Sequence, residues 1–142
     1  MSTIPDKING VDLEFASDVD RDISDNLLDA LKSAISNEIN GYELKTLWIS
    51  SAKDHHQCPS RHVSGNAVDV SRVNGMKLGV HYPNDSVVKN IVDGLQERYE
   101  SSPKRRENFG PHFKKKEGVD KEVPGHEAVS YTHLTLPTIY SV

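Results

Sequence analysis

The stretch Ser60-Arg61-His62-Val63-Ser64-Gly65-Asn66-Ala67-Val68-Asp69-Val70 is the part of the chain best equipped for chemistry. A neutral imidazole and a carboxylate are both good zinc ligands, and this stretch holds His62 and Asp69. Gly65 permits a sharp reversal between them, so a loop carrying His62 can fold back over a strand carrying Asp69. Ala67 shares the face of Asp69 in a regular strand and is small enough to leave room beside an ion. Asp69 sits between Val68 and Val70, so the strand has a buried face. A carboxylate there needs a partner, because burying an unpaired charge is costly, and a metal ion is one such partner. Two other chemistries lie close by. Cys58 near His55, His56 and His62 could form a nucleophile and base, although such partners usually meet through the fold and not as sequence neighbours. Asp54, His55, His56 and Cys58 could form a structural zinc cluster, but their spacing is too tight for an ordinary closed site. His81 and His112 read as structural histidines.

The frame for these groups is a mixture of short strands and two helices. Residues 11–15 alternate apolar and polar, which allows a short strand. Ile23, Leu27, Leu31 and Ile35 recur every four residues, with Leu28 and Ala34 widening the stripe, and predict a helix over 22–37. Asp20, Asp22 and Asp25 favour its start, and Asn40-Gly41 is its expected stop. Residues 44–50 predict a strand with Leu44, Thr46, Trp48 and Ser50 on one face and Leu47 and Ile49 on the other. A polar loop over 51–65 leads to a second strand over 67–73. Regular alternation there places Val68, Val70 and Arg72 opposite Ala67, Asp69, Ser71 and Val73. Asn74-Gly75 is a strong hairpin signal leading into Met76, Lys77 and Leu78. A second helix is expected over 86–99, with Val87, Val88, Ile91, Val92, Leu95 and Tyr99 as its apolar stripe and Asp85 or Ser86 as its cap. Pro83 separates it from the hairpin. Residues 100–127 read mostly as loop, and their basic groups Lys104-Arg105-Arg106 and Lys114-Lys115-Lys116 read as solvated surface.

The string ending at Asp69 resembles the Ser-x-His-x-x-Gly-x-Ala-x-Asp motif of the D-alanyl-D-alanine carboxypeptidase and L-alanyl-D-glutamate endopeptidase family, zinc proteins of the hedgehog/DD-peptidase superfamily. Ser60, His62, Gly65, Ala67 and Asp69 fall on motif positions. The run Glu107-Asn108-Phe109-Gly110-Pro111-His112-Phe113 looks like a phage-associated branch, and the likeness covers roughly residues 42–127. The resemblance implies an α+β fold, a small antiparallel sheet with two main helices, and a metal site at the sheet's open face. It implies a Zn2+ cofactor held by His62 and Asp69, with Ser60 orienting the loop. Many members carry Ser-Gly-Tyr-Arg before the motif. Here Ser51 matches the serine and Lys53 replaces the arginine, so the expected substrate contact is a point charge and not a bidentate fork. The family's third ligand, a histidine, and its general base lie near the C-terminus. A His-x-His pair is expected soon after Gly125-His126-Glu127, where Val129 and Tyr131 stand instead. His126 and His133 are the available substitutes for the ligand, and no residue is assigned as the base.

The implied function is zinc-dependent hydrolysis of peptidoglycan stem peptides by an endolysin-like phage enzyme. A non-catalytic metal-containing module gripping the cell wall or a phage structural partner is the alternative. Residues 128–142 change character abruptly. They hold no charged residue except His133 and resemble the translation of a transposase sequencing adapter. The expected organisation is therefore a zinc peptidase-like domain over 1–127, truncated at its C-terminus, followed by a non-native tail over 128–142. The competing reading of the tail is a genuine strand, since Tyr131, Thr132, Thr135 and Ile139 are strand formers.

The whole chain sets outer limits. Its 142 residues suit one domain. A single cysteine excludes a disulfide within the chain. A formal charge of −4 gives no broad positive field for nucleic acid. No stretch is apolar enough to span a membrane, and the first residues lack the basic-then-apolar pattern of a secretory signal. The expected protein is a monomer with no nucleic-acid partner and no membrane insertion. It would be cytoplasmic until release and then act on the bacterial cell wall.

Overall fold

In the computed structural model, β7 (Thr46–Ser51) and β8 (Val68–Val73) form the centre of the main sheet, among the thirteen strands and three helices of the described residues. Preceding them are β1 (Ser2–Thr3), β2 (Lys7–Ile8), β3 (Val11–Phe15), β4 (Asp22–Ile23), α1 (Asp25–Ala34), β5 (Glu38–Ile39) and β6 (Tyr42–Glu43). Following them are β9 (Met76–Lys77), α2 (Leu78–His81), α3 (Ser86–Glu100), β10 (Glu107–Phe109), β11 (Lys114–Lys116), β12 (Val119–Asp120) and β13 (Leu134–Leu136). The structure describes residues 1–52 and 67–102, together with the backbone of β10 to β13.

The fold is α+β. Its main sheet has nine strands in the order β12-β11-β10-β13-β8-β7-β3-β2, with β9 paired to the end of β8. The expectation of an antiparallel sheet needs one correction, because β3 and β7 run parallel, with Leu13 opposite Leu47 and Phe15 opposite Ile49. A parallel pair requires a crossover longer than a hairpin, and the segment containing α1 supplies it. The helices form one layer: α1 and α2 both pack on α3, and α3 packs on β8. Leu47, Ile49, Val68, Val70 and Val73 are all buried with Leu27, Leu31, Ile91 and Leu95 in one core. Each such large side chain contributes about 1.5–3 kcal/mol by leaving water.

Both main helices are capped by side chains, α3 at the expected Asp85 and α1 at Ser24, two residues beyond the expected start at Asp22. In α1 the Ser24 hydroxyl accepts from the Leu27 amide, and in α3 the Asp85 carboxylate accepts from the amides of Val87 and Val88. The first helix is shorter than its apolar stripe, because Asp22 and Ile23 pair with Ser2 and Thr3 in a separate two-stranded sheet. Val87 is a second departure; it starts the stripe of α3 yet is 37% exposed.

Asn40-Gly41 does not stop a helix. It turns the β5–β6 hairpin, as Asn74-Gly75 turns β8–β9 and Asn9-Gly10 turns β2–β3. All six residues have positive φ, between 49° and 83°, which is the backbone that two-residue turns matching strand twist demand. Within 100–127, where mostly loop was expected, the described residues include the strands β10, β11 and β12. These were illegible because Glu107–Phe109 and Lys114–Lys116 carry no apolar alternation. Leu134–Leu136, from the segment expected to be a foreign tail, lies between β8 and β10. An uncharged run of strand formers can occupy an available sheet edge whatever its origin.

Candidate metal site on strand β8

Asp69 is half-buried on β8, between Val68 and Val70, which are 0% and 1% exposed. Ser51 stands opposite it on β7 and Thr135 opposite it on β13. The Ser50 hydroxyl donates to the Asp69 carbonyl at 3.4 Å. Ser51 is itself 7% exposed and Ala67 only 2%, so the surroundings of the carboxylate are closely packed.

Strict alternation fails along β8. Trp48 pairs with Arg72 but the next residue, Ile49, pairs with Val70, leaving Ser71 as an extra residue. Ile49 and Ser51 then pair with Val70 and Asp69, leaving Ser50 as the extra residue on β7. Such bulges re-aim the side chains around them. The one at Ser71 puts Val73 on the buried side with Val68 and Val70. It moves Arg72 to the opposite side, the side of Asp69, which corrects the faces expected from a regular strand. On that side the Arg72 guanidinium lies over the Trp48 ring, 4.5 Å from its centroid.

The other expected site residues, Lys53, Ser60, His62, His126 and His133, lie outside the described residues. So do Asp54, His55, His56 and Cys58 of the rival clusters, and His112. His81 ends α2 and is half-buried, with its carbonyl accepting from the Asp85 amide at 2.7 Å. Among the described residues no three His, Cys, Asp or Glu side chains form a group that could hold a metal ion. A metal cluster built on Asp69 would need its other donors from outside them. The donor chemistry of the motif, one imidazole and one carboxylate, fits zinc.

A groove of about 300 Å³ runs between α1 and the end of α3, lined by Asn26, Asp29, Ser33, Arg98, Ser101 and Ser102. None of these belongs to the motif. Arg98 also serves the fold there, donating to the carbonyls of Ala34 at 2.6 Å and Ser33 at 3.3 Å near the end of α1. Among the described residues no helix is long and apolar enough to cross a membrane. No protein-family model matches the chain, and neither a curated protein nor a solved structure matches it.

Proposed function

We propose that this chain is a zinc peptidase of the D-alanyl-D-alanine carboxypeptidase and L-alanyl-D-glutamate endopeptidase type, acting on peptidoglycan stem peptides as a phage endolysin. The observation that carries the reading is the motif from Ser60 to Asp69, whose last residue alternates with the buried Val68 and Val70 on the central strand, beside two bulges. In this reading His62 and Asp69 hold the ion, Ser60 orients the loop and Lys53 contacts substrate. Bound zinc supplies Lewis-acid polarisation of a peptide carbonyl and activation of water. His126 or His133 stands in for the third ligand, and no residue is assigned as general base. Turnover by this chain is accordingly slow or absent. The enzyme would remain in the cytoplasm until a membrane lesion released it to the wall.

The second reading is a metal-containing module that binds the cell wall or a phage structural partner without cutting. It is favoured by Val129 and Tyr131, which stand where a His-x-His pair would supply ligand and base.

The test is zinc stoichiometry and affinity of the purified chain beside a His62→Ala, Asp69→Ala double variant. One-to-one binding lost in the double variant supports the site. If the parent chain binds no zinc, residues 128–142 are replaced by a His-x-His ending. Restored binding then supports a truncated peptidase, and continued failure overturns the zinc reading. Release of peptide fragments from cell walls by the zinc-loaded chain, or by its version with the His-x-His ending, supports the peptidase, and wall binding without release by either supports the binding module.

A further inference from the structure

The bulge at Ser71 brings Arg72 to the same side of β8 as Asp69. A guanidinium carries five donors in a planar fork that matches a carboxylate. Among the described residues Arg72 makes one contact of note, the stacking on Trp48 at 4.5 Å. No described carboxylate lies within ion-pair distance of it. The guanidinium carbon lies over the Trp48 ring, a contact worth about 0.5–1 kcal/mol at exposed sites, and an aromatic face offers its N–H groups no carboxylate or carbonyl. The contact thus places the group over the ring while leaving its N–H donors, among the described residues, without a carboxylate partner. The neighbours in register are Glu14, opposite Trp48 on β3, and Lys77, opposite Arg72 on β9; both are exposed. Lys77 adds positive charge beside Arg72, while Glu14 lies beyond the tryptophan.

The geometry points to Arg72 as an anion-recognition residue that takes the free carboxylate of a peptide lying along this side of the sheet. The identity of the ligand as a peptide rests on the peptidase reading. Arg72 stands three residues from Asp69, about 10 Å along a strand at most. Some three extended peptide residues span that length, so a short peptide end can reach from the candidate metal ligand to the guanidinium. Arg72 would supply the bidentate fork that Lys53 cannot.

The test uses the full chain, with N-acetyl-D-alanyl-D-alanine and its C-terminal amide as probes. Trp48 is the only tryptophan, so its fluorescence reports binding directly, and calorimetry gives the affinities independently. The acid should bind about ten to a hundred times more tightly than the amide, the range of a charged hydrogen bond, and should change Trp48 emission. Arg72→Gln should bring the acid down to the level of the amide. Arg72→Lys should recover only part of the difference, and its retained fold guards against a trivial loss. Equal affinity for acid and amide, an unchanged preference in Arg72→Gln, or binding of neither probe would each overturn the proposal. Zinc affinity measured on the same samples keeps the two readings apart. An acid preference that depends on Arg72 in a chain that binds no zinc would keep the subsite and remove the metal site. Zinc binding lost in His62→Ala, Asp69→Ala, with acid and amide bound alike, would do the reverse.

Discussion

Asp69 and Arg72 owe their common side to a single extra residue, Ser71. His62 and Asp69 were singled out as candidate ligands by the likeness of their surroundings to a peptidase motif, since one His and one Asp seven positions apart carry little on their own, whereas the alternation of Trp48 with Leu47 and Ile49 on β7 was plain from the residues. The side of Arg72 was not, because a bulge depends on how two strands are paired and neither strand announces it alone. Asp69→Asn keeps the shape of the side chain and removes its charge. On the proposed zinc reading, affinity for the ion should fall about 100-fold or more, since even groups that only orient a ligand are worth 10–100-fold; competition with a chromophoric chelator would measure it. Asn74 offers a stability test at the same scale. Its side chain accepts from the Lys45 amide at 2.7 Å and donates to the Glu43 carbonyl at 2.9 Å, and its φ is 51°. Asn74→Ala should cost about 2 kcal/mol or more, combining the left-handed backbone with lost hydrogen bonds. Asn74→Gly should cost roughly half as much, since glycine relieves only the backbone term. Urea denaturation of both variants checks the order.

At the scale of elements, α3 was legible almost to the residue, because its cap Asp85 and its apolar stripe agree on the start. The first helix was overextended, since the pairing of Asp22-Ile23 with Ser2-Thr3 is a tertiary event that overrides a local pattern. The strands between residues 107 and 120 escaped notice for want of apolar alternation. Gly94, mid-helix in α3, also has a reason that only packing reveals. A Cβ there would collide with the Ile39 side chain and come within 2.8 Å of the Asn40 side-chain nitrogen. The glycine lets the β5–β6 hairpin seat against the helix, where the Asn40 side chain donates to the Asn90 carbonyl at 2.9 Å. Gly94→Ala should therefore destabilise by about 1–3 kcal/mol despite the better helix propensity of alanine. A rise in thermal midpoint would show that the hairpin yields freely. Asp85→Ala should lower stability by about 1 kcal/mol through the two amides it leaves uncapped.

For the molecule as a whole, a mixture of short strands and two main helices followed from the periodic segments, whereas the parallel β3–β7 pair did not. Strand direction across a sheet depends on how a crossover is routed, which residue patterns alone do not encode. The main sheet is joined across its middle by β13, since Leu134–Leu136 pairs with β8 and also with β10. Deleting residues 128–142 should therefore loosen the amides of Val68 to Val70 in hydrogen exchange while those of Leu13 and Leu47 keep their protection. Equal loosening of both regions would mean that the sheet behaves as one cooperative unit.

The three hairpin turns also bear on how the protein ages. In an Asn-Gly pair the bare glycine lets its backbone nitrogen attack the asparagine amide carbon, closing a succinimide and expelling ammonia. Here each of the three amide nitrogens is held by a carbonyl: Asn9 by those of Lys32 and Ile35, Asn40 by that of Asn90, and Asn74 by that of Glu43. Attack requires both this restraint and the fixed turn backbone to give way. Deamidation at these positions should consequently be slow in the folded chain and rapid in the denatured one, so that peptide mapping after storage records how often each hairpin has opened.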